Sequence, residues 1–190
     1  MKTTQKLLIL WLIIMFLVTF TSSIVYLVTQ QTLRLGADGQ PLQLATDTAL
    51  KLEKGQRADL AVSTDKVDIS KSLSPFVMVF DTNKNLLSTS GVMGSSEPTY
   101  PKGVLDFVTQ KGEDRVTWQP QTGLRYATVA IKIKSGYIVA GRSLREIEKL
   151  IDEIGKLVLE ACLASALFSA IAMVILYAFL RKVFKTDFQI

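Results

Sequence analysis

Two long apolar runs bracket this chain, over residues 7–28 and 157–180. Each supplies the ~20 residues a helix needs to cross a hydrocarbon core of roughly 30 Å. Between them lies a polar, mixed-charge segment of the length of one small domain, too short for two. The expected order is a cytoplasmic N-terminus (1–6), a first transmembrane helix acting as signal anchor (7–28) and an outer domain (29–143). An exit helix (144–156), a second transmembrane helix (157–180) and a cytoplasmic tail (181–190) follow. With ten residues after the second run, no output domain is expected on this chain.

Charge sets the orientation. Of the Lys and Arg behind the formal charge of +5, Lys2, Lys6, Arg181, Lys182 and Lys185 flank the two runs on one side. Short Lys/Arg-rich segments stay cytoplasmic, whereas long loops translocate regardless of charge, so residues 30–150 are expected outside. A cleaved signal peptide is the competing reading of the first run. That run continues through Ile13, Leu17, Ile24 and Leu27, beyond an h-region of ~7–15 residues, and no clear small-x-small site follows it. The lone cysteine, Cys162, falls in the second run, so the outer domain has no disulfide and an inert packed thiol is expected.

Gly36 and Gly39 are expected to break any long helix after the first run. Pro41 opens a helical stretch with Leu42, Ala45, Ala49 and Leu52 on one face, ended by Gly55. Leu60–Leu73 reads as short helix or irregular chain, with Asp65, Asp68 and Ser70 as turn or cap residues. From Phe76 the period changes. Phe76–Phe80 is a continuous apolar run that suits a strand covered on both faces, Asp81–Asn85 is turn chemistry, and Leu86–Ser90 is the returning strand. A Gly/Ser/Pro-rich loop (91–100) and a helix at Pro101–Gln110 lead to strands at Arg115–Gln119, Arg125–Ile133 and Gly136–Gly141. Helix, hairpin, helical crossover and three-stranded meander together predict an α+β domain built on an antiparallel five-stranded sheet.

The block FVMVFDTNKNLLSTSG resembles the opening hairpin of extracytoplasmic PAS-like domains, the single-Cache type of bacterial sensor kinases and chemoreceptors. RVTWQPQTGLRYATVAI and GYIVAGRSLREIE resemble that family's last three strands and exit helix. Asn85 stands where a glycine often closes the hairpin. The resemblance covers roughly Pro41 to Leu150. It implies a PAS-like sheet with flanking helices between two transmembrane helices, in the bacterial cytoplasmic membrane with the central domain outside. The implied function is a sensor or ligand-binding module that passes its state to a separate membrane partner through the second helix. The rival expectations are a ligand-free scaffold or interaction module, and the input half of a split or truncated sensor kinase or chemoreceptor.

Ser143 with Glu146 three residues on forms a capping-box pattern at the exit helix. Leu144, Ile147, Ile151, Ile154 and Val158 are spaced as a heptad seam that continues as Ala161, Ser165, Phe168 and Ala172. Either a homodimer or packing against the chain's own N-terminal segment satisfies such a seam. Ala161, Ser165 and Ser169, spaced by four, permit close helix approach in a membrane. Glu160, one turn inside the second run, can snorkel, pair with Lys156 or mark a functional contact.

A pocket in this fold class lies between the sheet and residues 91–110. Trp118, Arg125, Tyr126, Tyr137 and Arg142 are the side chains able to grip a small molecule there, the guanidinium groups a carboxylate and the rings its apolar body. The same residues serve equally as core and surface structure. Asp81 reads as a turn former. Without histidine, a phosphate-cradling glycine loop or carboxylates at metal spacing, neither an enzyme, a metal nor a cofactor is expected, and a phospho-accepting histidine is excluded. Mixed charge on an outward domain argues against nucleic acid. The expected partners are lipid, a small ligand, and a second copy or a membrane signalling protein.

Overall fold

A computed structural model describes residues 3–186, with the side chains of residues 4–182. Lys2 and the side chain of Lys185 lie outside the described residues. The chain divides into two compact units, Met1–Gln31 with Leu150–Ile190, and Thr32–Lys149.

In the first unit, α1 (Thr3–Gly36) and α5 (Arg145–Thr186) supply two helices long and apolar enough to cross a membrane. The hydroxyls of Thr21, Ser23 and Thr29 donate to carbonyls one turn back (Leu17, Thr19 and Val25), so these polar groups are satisfied inside the helix. The indole of Trp11 donates to the Ser169 hydroxyl at 3.0 Å, and that hydroxyl lies 3.4 Å from the Met15 sulfur. Further along, a side chain at Gly155 would touch the Tyr26 ring at 3.4 Å. The two helices therefore run antiparallel.

The seam expected on α5 is partly sheltered within one chain. Ile151 is buried, and Ile154, Val158 and Ser165 are half-buried, but Ala161, Phe168 and Ala172 turn outward. Gly155, Cys162, Ala166, Ser169 and Met173 are sheltered too, and with Ile151 and Val158 they recur at eleven residues per three turns. A straight helix at ~3.6 residues per turn drifts ~20° per heptad, and an eleven-residue spacing follows it where seven cannot.

In the second unit, α1 runs eight residues past its apolar run and ends at Gly36, where the sequence led one to expect a break. Ala37 and Asp38 make the turn, and α2 (Gly39–Glu53) follows with Pro41 in its first turn, where no N–H is needed. A short α3 (Ala58–Ala61) and the two-residue β1 (Val67–Asp68) stand where helix or irregular chain was expected. The hairpin of β2 (Phe76–Phe80) and β3 (Leu86–Thr89) leads to β4 (Gly91–Val92), parallel to β1. Then come α4 (Lys102–Lys111), β5 (Glu113–Gln121), β6 (Leu124–Ile133) and β7 (Gly136–Ser143). The five longer strands form one antiparallel sheet in the order β3-β2-β7-β6-β5. The domain is thus α+β, with a five-stranded antiparallel sheet and flanking helices, as the sequence led one to expect.

Every residue of β2 is buried, because the sheet is covered on both faces. On one face Val77, Val79, Ile138 and Ala140 meet Ala45 and Ala49 of α2, whose small side chains let the helix lie close. On the other, Phe76, Met78, Tyr126, Val139 and Trp118 meet Leu105 and Val108 of α4. Burial of one such large apolar side chain contributes ~1.5–3 kcal/mol. In the β2–β3 turn the Asp81 carboxylate accepts from the Asn85 N–H at 2.8 Å, and Lys84 takes the left-handed conformation (φ 63°). The left-handed residue of the turn is therefore Lys84, and Asp81 is the turn former.

Candidate functional site: the aromatic face and the root of α5

Strand alternation decides what the expected ligand residues do together. Trp118, Tyr126 and Tyr137 share the α4 face, and all three are at most 5% exposed. Their neighbours Arg125 and Arg142 point to the opposite face, since successive side chains alternate. The structure therefore brings three of the five together and separates the two guanidinium groups from them.

The aromatic face is filled by its own rings. Phe76 meets Tyr126 edge-on at 5.5 Å between centroids, Trp118 lies 5.5 Å from Tyr126 and 5.4 Å from Tyr100, and Phe80 lies 6.4 Å from Tyr100. Each hydroxyl in this layer is matched. Tyr100 shares a hydrogen bond with Thr128 (2.9 Å), Tyr137 shares one with Thr109 (2.6 Å), and Tyr126 donates to the Ile69 carbonyl (2.6 Å). Burial pushes the Tyr100 phenol up to about 12 and raises that of Tyr126, so both remain donors at neutral pH.

The Ile69 carbonyl belongs to a loop gripped from three sides. Asp68 accepts from the Ser70 hydroxyl (2.6 Å), the Ser70 N–H (3.1 Å) and the Gly94 N–H (3.4 Å), which ties this loop to the one after β4. Those bonds, the Ser70 hydroxyl first, hold the Asp68 carboxyl below its ordinary value. From the other side the Arg145 guanidinium donates to the carbonyls of Ser70 (3.0 Å) and Lys71 (3.5 Å). Arg145 is the first residue of α5.

Two further contacts fix that root to the sheet. Arg125 of β6 pairs with Glu148 at 2.5 Å, and Leu144 and Ile147 pack on Ala127 and on Ala37 of the α1–α2 turn. Leu144 and Ile147, expected in a seam with a second copy or with the chain's own N-terminal segment, are engaged within this domain. The expected capping box also shifts. Because β7 continues through Ser143, the Ser143 hydroxyl accepts from Arg145 (3.3 Å), one residue earlier than the pattern requires. Arg142 reaches no ligand-like partner, and its Nε is buried without a hydrogen bond.

Sequence reasoning missed Arg145 and Ile69. Asp68 and Ser70 announced a turn, but nothing local shows that Arg145, 75 residues away, closes on it. A separate groove of about 270 Å³ lies at the β3 edge between Leu52, Gly55, Ala58, Val79 and Leu87. Among the described residues no cluster of His, Cys, Asp or Glu is arranged to hold a metal. No family model matches the chain, and no curated protein or solved structure matches it either.

Proposed function

We propose that this chain is a membrane-anchored input module of PAS-like, single-Cache type. Its α+β domain faces outward between two spanning helices, and its state passes through α5 to a partner in the membrane. One observation carries the reading. A single loop, residues 69–71, is held from the core side by Tyr126 and from the helix side by Arg145. Anything that moves this loop against the aromatic layer changes the grip on α5, and a bistable contact of that kind is what couples an input to an output. The membrane placement is supported by the two apolar helices and the basic residues beside them.

The filled aromatic face favours a second reading, a ligand-free module that docks another protein at its surface. The two readings separate in one experiment. The full chain in detergent is screened by thermal unfolding against small metabolites, and hits are followed by hydrogen exchange at residues 69–72 and 145–149. An input module gives a stabilising compound that alters exchange in both segments, and Arg145→Ala uncouples the second from the first. A screen without stabilising compounds supports the docking module.

A further inference from the structure

The face of α5 turned away from α1 carries an unexplained pair of charges. Lys156 and Glu160 are both exposed, one turn apart, with Glu160 a turn inside the apolar run that begins at Leu157. Neither forms a salt bridge among the described residues, although their i, i+4 spacing would allow one. Continuing down the same side, Ala164, Leu167 and Ile171 line an open groove, with Ser165 and Phe168 at its margin. At 100° per residue, Lys156, Glu160, Ala164, Leu167 and Ile171 fall on one stripe, nearly opposite the sheltered stripe of Gly155, Cys162 and Ser169.

We propose that this stripe binds a second copy of the same chain, α5 against α5 in parallel, with Lys156 of each copy paired to Glu160 of the other. The inference rests on the reading that α5 spans a membrane, for two reasons. A carboxylate near hydrocarbon is costly and is found turned toward protein, water or a counter-charge rather than toward lipid. A spanning orientation also forces two copies of α5 to lie parallel, which brings equivalent residues to equal depth. A two-fold interface is self-complementary, so that where residue i meets j, j also meets i. One lysine and one glutamate a turn apart satisfy that rule, giving two identical ion pairs at the outer end and a groove below them, floored by Ala164, for the facing side chains.

Charge reversal in the full chain, kept in membranes, tests this directly. Dimer fraction is read by energy transfer between labelled copies, and retention after an alkaline wash is read in parallel. Lys156→Glu and Glu160→Lys should each lower self-association roughly tenfold or more, because each places like charges opposite one another. The double variant K156E/E160K restores the complement and should recover association. The two single variants, mixed, should prefer each other to themselves. In a Cys162→Ala background Ala164→Cys should form a disulfide between copies, while the native Cys162, turned toward α1, should not. Equal association by all the charge variants would overturn the proposal, as would crosslinking through Cys162 in place of position 164. Capture of an unlike polypeptide at position 164, with no self-association, would assign the stripe to another membrane protein and also overturn it. Loss of the unmodified chain from washed membranes would instead defeat the spanning reading on which the proposal stands.

Discussion

Gly136 shows how little freedom single positions have in this domain. Its φ is 148°, and a Cβ there would sit 2.0 Å from the Phe80 carbonyl oxygen. The obstacle is backbone, which cannot rotate away. Gly136→Ala should cost about 1–3 kcal/mol, seen as a lower urea midpoint with unchanged slope. Tyr126→Phe should cost a similar ~1–3 kcal/mol, since it leaves the Ile69 carbonyl without its donor. Asp68 brings a pH dependence of defined sign. Its folded-state carboxyl titrates below the ordinary 3.8, so the stabilisation is fully present above that value and is lost as pH falls through the lower, folded one. Thermal unfolding of the full chain in detergent should therefore show a smaller acid-induced drop for Asp68→Asn than for the parent between about pH 5 and about pH 2.5, the range in which carboxylates titrate.

At the scale of elements, the root of α5 separates strong contacts from weak ones. Arg125 and Glu148 are each more than a third exposed, so solvent screens their pair and Glu148→Gln should cost under about 1 kcal/mol. Arg145→Ala should leave global stability nearly as unchanged but raise hydrogen exchange at residues 70–72, because the Ser70 and Lys71 carbonyls lose the donor that ties their loop to α5. Equal exchange in the two variants would remove Arg145 from the coupling. The elements themselves were largely legible, and for physical reasons. Phe76–Phe80 was read as a doubly covered strand because five consecutive apolar residues have no solvated side. Gly36 and Gly39 were read as interrupting a long helix, and α1 ends at the first while α2 begins at the second, since glycine carries a propensity cost in a helix interior. On α5 the first five members of the expected heptad fit periods of 3.5 and 3.67 alike, and Ala161 and Phe168, both exposed, are where the two periods part. As to the site, Arg125 and Tyr126 are adjacent in one strand and must face opposite ways, so their separation was available from parity alone. The approach of Arg145 to Ser70 was not, since no local pattern encodes a contact across 75 residues.

At the scale of the whole molecule, reporter fusions at residues 5, 100 and 190 check the proposed arrangement. The expected outcome is an inward signal at both ends and an outward one at residue 100, and an inward signal at residue 100 would reverse it. The sheet has one more property that matters in such a setting. Its outer strand β5 is nine residues long and open on one side, the kind of border along which neighbouring molecules zip together. Glu113, Asp114 and Arg115 charge one end of that border, and at the other Pro120 lacks an N–H and the register slips between Trp118 and Gln121. Proteins confined to a plane meet far more often than proteins free in solution, and a hospitable strand there would seed fibres. A bristling, buckled margin lets many copies share a crowded surface without polymerising.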